Sequence, residues 1–184
     1  MAWPTAPAAS SVGFTAMAVG ALVGATPRAQ RDGDAALGKG LAYVLANQKE
    51  NGAIWSNERY VTYETSAAIS ALAVARRSEH RQAQVKARDF LASTQIQGSE
   101  EDPSHGGFPY ASKKPQPADL SNLQFAADAL AAAELPADHP VWKRVQAYLK
   151  RVQNQSETNV GFIEVEEDGE KRVVVSGDDG GAPY

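Results

Sequence analysis

The stretch Lys39 to Trp55, K-G-L-A-Y-V-L-A-N-Q-K-E-N-G-A-I-W, decides how the rest of the chain is read. Its first half has the pattern of a helix end carrying Tyr43, Val44 and Gln48. A turn at Asn51-Gly52 follows, and then an aromatic residue, Trp55. The same grammar recurs in Phe90-Leu91, Gln95 and Gly107 to Tyr110, and again in Tyr148-Leu149, Gln153 and Gly181 to Tyr184. In each copy an aromatic–aliphatic pair precedes a Gln, and a Gly lies three residues before an aromatic. Self-similarity at a period of about 50 residues is the mark of a repeat architecture.

Working outward from these turns, three Ala-rich stretches align on an Ala-Leu pair: Ala21-Leu22, Ala71-Leu72 and Ala129-Leu130. They run over 11–25, 61–75 and 119–133, and Thr15 then falls on Thr65. With few charges and much alanine, they read as helices buried on most faces. Asp119 or Ser121 is expected to cap the third, and Thr62 stands at a similar place in the second. Pro27 and Pro136 follow the first and third, as expected just past a helix end.

More polar helices are expected between them, over about 34–48, 82–95 and 141–153. Their apolar residues keep a 3.6 period: Leu37, Leu41, Val44 and Leu45; Val85, Phe90 and Leu91; Trp142, Val145, Leu149 and Val152. Asp138-His139-Pro140 is a start signal for the last of these. The order is inner helix, outer helix, turn, repeated over roughly 1–55, 56–110 and 111–184. The last loop is the longest, and Phe162 to Val175 within it reads as a β-hairpin turning at Asp168-Gly169. The fold class expected is therefore all-α, with inner and outer helices alternating and a small β-hairpin inserted. Both ends fall inside repeats and neither carries the polar cap of a terminal repeat, so the chain is expected to be a fragment of a longer protein.

Composition narrows the function classes. A chain of 184 residues with 43% hydrophobic content is long and apolar enough for one sizeable core. A net charge of −4 and a pI near 5.4 argue against a nucleic-acid partner, which needs a basic face. No cysteine is present, which excludes disulfides and thiolate chemistry and fits any compartment. Val12 to Ala25 has the length of a signal-peptide apolar core and is too short to span a bilayer. No Lys or Arg precedes it, the first being Arg28, and the repeat alignment accounts for it as an inner helix.

The repeat resembles that of squalene–hopene cyclases: basic residue, Gly, two residues, aromatic, aliphatic, three residues, Gln, a few residues, Gly, then Trp. Lys39, Gly40, Tyr43, Val44, Gln48, Gly52 and Trp55 fill it with one extra residue before the Trp. The second copy has Ala87 for its Gly and Tyr110 for its Trp. The third has Arg144, Val145, Tyr148, Leu149 and Gln153. More widely, alternating helices with Gln, Gly and aromatic turns look like the toroid of terpenoid cyclases and protein prenyltransferase β subunits, the prenyltransferase and squalene oxidase repeat. In physical terms the Gln ties the loop to the neighbouring backbone, the Gly permits a positive φ, and the aromatic buries surface against the next repeat. Those residues read as structure rather than chemistry.

The resemblance implies a proton donor drawn from an Asp-x-Asp-Asp-Thr-Ala motif opening an inner helix. No helix here has it. Its last Asp falls on Phe14, Glu64 and Asn122, its middle one on Gly13, Tyr63 and Ser121, and its first on Ser11, Val61 and Asp119. Glu64 and Asp119 are the catalytic candidates, with Tyr63, Asn122 and Asp128 lining the cavity. A plainer reading makes Glu64 a helix-start carboxylate favoured by the dipole, and Asp128 a paired carboxylate. The zinc of prenyltransferases fails to carry over without Cys, and His80, His105 and His139 lack ligand spacing, so neither metal nor cofactor is expected. Asp178-Asp179-Gly180-Gly181 is an acidic turn of the kind that meets Mg²⁺ or Ca²⁺, though a solvated turn explains it as well. Arg76, Arg77, Lys113 and Lys114 read as solvated charge rather than a diphosphate cradle.

Two functions stay open. The first is a terpenoid cyclase-like protein acting on an isoprenoid or other apolar ligand when the ring is complete, an isomerase or lyase if active. The second is a non-catalytic scaffold of α/α repeats that binds a protein or lipid. Membrane association stays open with either, and a homo-oligomer covering the apolar inner helices is expected if the chain is complete.

Overall fold

The computed structural model describes residues 11–111, 116–157, 162–167, 169–175 and 177–182. Six α-helices account for about half of them: α1 Val12–Ala25, α2 Ala35–Ala46, α3 Val61–Ala75, α4 Arg81–Ser93, α5 Leu120–Ala132 and α6 Pro140–Val152. Short 3₁₀ turns lead into α2, α3 and α4. Two strands, β1 Phe162–Glu167 and β2 Glu170–Val175, pair antiparallel with Phe162 opposite Val175 and Glu167 opposite Glu170. Gly169 sits between them at φ +79°, while Asp168 lies outside the described residues. Among the described residues no helix is long and apolar enough to cross a membrane.

The all-α character follows from the two kinds of helix. In α3, ten residues are buried, Glu64 and three Thr or Ser among them, because helices pack on both its flanks: α1 on one, α5 on the other. By contrast α6 buries Val141, Val145 and Tyr148 in a single stripe and turns Lys143 and Lys150 outward. α2 packs on α1, and α4 on α3. Val12, Ala16, Val19 and Val23 of α1 join the same core as Ile69, Leu72, Leu123 and Leu130. Small residues set the spacing: a Cβ on Gly40 of α2 would lie 2.6 Å from Val19.

Caps explain most helix starts. Asp34 accepts from the amides of Ala36 and Leu37, Asp119 from that of Asn122, and His139 from that of Val141, with Pro140 at the first helical position. Thr62 is not a cap, which corrects the expectation. It lies within the first turn of α3, with its hydroxyl buried and unpartnered among the described residues. α3 ends at Arg76, a non-glycine residue in the left-handed region at φ 52°.

The three Gln–Gly turns share one backbone pattern. The residue after the Gln (Lys49, Ile96, Asn154) accepts from the amide of a glycine and donates to the carbonyl of the next residue. Those glycines are Gly52, Gly106 and Gly180, at φ +94°, +89° and +74°. In the second and third copies the left-handed glycine is thus one residue earlier than Gly107 and Gly181, the positions chosen by distance to the aromatic. Two residues past it, Ile54 and Phe108 are fully buried. Trp55 and Tyr110, expected to fill that place, are only half-buried. The core takes whichever side chain the turn aims inward, and that is set by distance from the glycine, not from the aromatic.

Candidate functional site

The N-terminal ends of α1, α3 and α5 lie side by side, and the segment Trp55 to Tyr60 runs across them. Together they enclose a cleft of about 850 Å³, within the order of 300–1,000 Å³ usual for small-molecule sites. Phe14, Trp55, Tyr60, Tyr63 and Tyr110 supply its aromatic walls; Ser11, Ser56, Glu64, Ser121 and Asn122 supply polar atoms. Tyr60 and Tyr110 meet edge to face with ring centroids 6.5 Å apart, and Tyr63 meets Phe125 at 4.7 Å. Gly13 makes room for the Tyr63 ring, since a Cβ there would lie 3.0 Å from it. The amide of Thr62 donates to the carbonyl of Tyr110 at 3.2 Å, fixing the second turn to the start of α3.

Glu64 is 2% exposed, and five donors converge on its carboxylate. The amides of Ser56 (2.6 Å) and Asn57 (3.0 Å) bond Oε2. The Ser11 hydroxyl (2.8 Å), the Ser56 hydroxyl (2.9 Å) and, more distantly, the Gly13 amide (3.4 Å) bond Oε1. Burial alone pushes its pKa up, but the amides of Asn57 and Ser56 and the hydroxyls of Ser11 and Ser56 together hold it below the ordinary glutamate value. A carboxylate held in this way is charged and fully occupied as an acceptor. Its geometry ties α1, the 55–57 segment and α3 together, the reverse of a carboxylic acid kept protonated in an apolar site.

The other candidates separate. Asp119 caps α5 through Oδ1, which also accepts from the Ser121 hydroxyl and, at 3.1 Å, from the Asn122 side chain. Tyr110 donates to Oδ2 at 3.3 Å. Tyr63 and Asn122 line the cleft. Asp128 does not, which corrects its assignment to the cavity. α5 turns Asn122, Ala126, Ala129 and Leu130 inward, and Asp128 falls off that stripe into solvent.

Among the described residues no group of three metal-ligating side chains exists. His105 Nδ1 lies 2.8 Å from the Gly98 carbonyl, His139 caps α6, and His80 Nδ1 is buried without a partner. The Asp178 and Asp179 carboxylates are exposed and turn to their own loop. The hydroxyl and amide of Ser156 hold Asp178 below the usual carboxylate range, and the Asn154 side chain with the Gly181 amide does the same for Asp179. Arg77 donates to the Arg31 carbonyl at 3.2 Å, away from the cleft; Lys113 and Lys114 lie outside the described residues.

Motif position points to Tyr63, Glu64 and Asn122, which line the cleft, and to Asp119, which caps α5, but not to the shared role of Ser11, Ser56 and Asn57. Ser11 did fall on the motif's first position. Nothing in the spacing of Ser56-Asn57 marks it as a carboxylate cradle, because that role depends on the fold of the preceding turn. Compared with known proteins, the chain matches no family model and no curated protein.

Proposed function

We propose that this chain is a segment of an α/α toroid related to the terpenoid cyclases, with α1, α3 and α5 on the inside of the arc and α2, α4 and α6 outside. In this reading β1 and β2 form a hairpin inserted in the third turn. The cleft at the N-terminal ends of the inner helices binds an isoprenoid or another elongated apolar molecule. The observation that carries this is the convergence of five aromatic rings, Phe14, Trp55, Tyr60, Tyr63 and Tyr110, on one cleft. Such rings bury apolar chains, and their faces also attract positive charge. Glu64 and Asp119 hold the walls in this reading and donate no proton, so binding is the activity assigned to the described residues.

Trp55 stands in the cleft, so its fluorescence reports on occupancy. Titration with a prenyl alcohol is expected to shift its emission saturably, and Tyr63→Ala to weaken binding by about tenfold, the loss of one well-packed contact. A titration with no saturable change, or one unmoved by Tyr63→Ala, sinks the reading.

A second reading, a repeat scaffold binding a protein or lipid, draws on one further feature. Phe14 and Met17 on α1 are 72% and 41% exposed, Phe125 on α5 is 37% exposed, and Tyr63 touches both helices. They form an apolar strip beside the cleft, of the kind that marks contact surfaces.

A further inference from the structure

The first Gln–Gly turn holds a peptide bond that can rearrange without an enzyme. Asn51 is the only asparagine in the chain followed by glycine. A following residue without a Cβ leaves the approach of its amide nitrogen to the asparagine side chain unobstructed. Asn51 is exposed, and its Oδ1 accepts from the Ala53 amide at 3.2 Å. That donor stands where negative charge develops on the oxygen when a nucleophile adds to Cγ.

The nucleophile is held back. The Gly52 amide donates to the Lys49 carbonyl at 2.9 Å, and the Gly52 carbonyl accepts from Gln48 Nε2 at 3.1 Å. Gln48 Nε2 also donates to the Ala83 carbonyl of α4 at 2.9 Å. Gly52 itself is buried at φ +94°, and a Cβ on it would fall 2.4 Å from the Lys86 oxygen of α4. α4 thus lies directly against the glycine and fixes it. Attack needs the turn to open first, as local segments do at less than the cost of global unfolding.

The third turn shows which product the fold accepts. Asp179 stands before Gly180 as Asn51 stands before Gly52, and both glycines have positive φ. Asp179 Oδ1 accepts from the Gly181 amide at 3.0 Å, the counterpart of the bond between Asn51 and Ala53. A carboxylate there fills the place of the carboxamide, with the same pair of backbone bonds closing the turn.

We propose that Asn51 is a site of spontaneous deamidation gated by the docking of α4, with an aspartyl product that the turn accepts and an isoaspartyl product that it cannot hold. The Gly52 nitrogen gives its proton to solvent base and bonds to Cγ; the carboxamide nitrogen leaves as ammonia, closing a succinimide. Water then opens the ring. Attack at Cγ breaks the new bond to nitrogen and leaves aspartate. Attack at the main-chain carbonyl carbon breaks the original peptide bond and routes the chain through Cβ and Cγ. Either way a water is consumed, an ammonia is released and nothing is oxidised or reduced. The isoaspartyl route lengthens the main chain by a methylene inside the turn closed by the Gly52–Lys49 and Lys49–Ala53 bonds. With Gly52 pressed on Lys86 there is no room for it, so those bonds and the α4 contact are lost together. This inference stands apart from the ligand cleft.

The test is to incubate the whole chain at mildly alkaline pH and map its peptides by mass, with isoaspartate read on the peptide that carries residue 51. Conversion is expected at Asn51 before any other asparagine. It is expected to be about tenfold or more slower in buffer than in unfolding urea, the protection given by a turn that must open. Gln48→Ala removes the tie to Gly52 and α4, and is expected to speed conversion several-fold in buffer without changing the rate in urea. Asn51→Asp is expected to keep the native urea midpoint, while the isoaspartyl form, separated by chromatography, unfolds at lower urea. Conversion at another asparagine first, equal rates in buffer and urea, a rate unmoved by Gln48→Ala, or a loss of stability on Asn51→Asp as large as that of the isoaspartyl form overturns the proposal.

Discussion

The turns between the helices and the cleft at their N-terminal ends obey opposite rules. The turns repeat: three glutamines, three left-handed glycines and three identical pairs of backbone hydrogen bonds. The cleft does not repeat. Where α3 has Glu64, α1 has Phe14 and α5 has Asn122, so one buried carboxylate is served by donors from two other segments. Features shared by every copy hold the copies together, and the feature present once is where the copies diverge, at the cleft proposed to bind a ligand. That difference can be attacked from both sides.

The largest effect is expected at the second turn, where Gly106 lies against the Arg144 carbonyl of α6. Gly106→Ala adds a Cβ 2.1 Å from a backbone oxygen and 2.7 Å from its carbon, neither the end of a flexible side chain. Left-handed strain of about 1–2 kcal/mol and overpacking of about 1–3 kcal/mol together predict a loss of about 2–5 kcal/mol, read from urea unfolding. Among the described residues a Cβ on Gly180 comes no closer than 4.0 Å to another atom, so Gly180→Ala meets only the strain there and its loss should be clearly smaller. Equal losses at Gly106 and Gly180 would show that the close approach of Gly106 to Arg144 adds nothing to the cost.

Glu64→Gln comes next. The amide puts N–H groups where the Ser56 and Asn57 amides need an acceptor, at a cost of about 1–3 kcal/mol for each donor left unmet. The pH dependence separates this from a loss of shape. The folded pKa of Glu64 lies below its unfolded value, so in the window between them the unfolded chain binds more protons and stability rises with pH. Its contribution is complete above the unfolded value and fades as pH falls through the folded one. Native protein should lose stability over that acid range more steeply than Glu64→Gln. Parallel profiles would mean that the carboxylate is not the anchor its hydrogen bonds indicate.

Much of the scaffold was legible because it depends on local pattern. The periodicity of Leu37, Leu41 and Val44, the Asp119 and His139 caps and the Ala-Leu pairs each specify an element without reference to distant chain. The turn glycines were harder. Gly106-Gly107 offers two candidates, and only the backbone, with Gly106 against Arg144, decides between them. The cradle of Glu64 was illegible in a stronger sense. Ser11 is 53 residues from Glu64, and the contact exists only because α1 and α3 pack side by side. A carboxylate near a helix start is read the same way from sequence whether it is charged and bonded or protonated and exposed to a ligand.

Asp128 gives the smallest expected effect and the sharpest control on the cleft. It interrupts the alanines of α5, which made it look buried, yet a helix turns about 100° per residue and carries it off the stripe defined by Asn122, Ala126 and Ala129. Exposed on that face, its replacement should change stability by no more than about 0.5 kcal/mol. Asp128→Asn should therefore leave both the urea midpoint and the Trp55 titration where they are. Asn122→Ala, earlier on the same helix but facing the cleft, should move the titration. If Asp128→Asn moved ligand binding as much as Asn122→Ala, the inward face of α5 would have to be redrawn, and the boundary between the repeated scaffold and the divergent cleft with it.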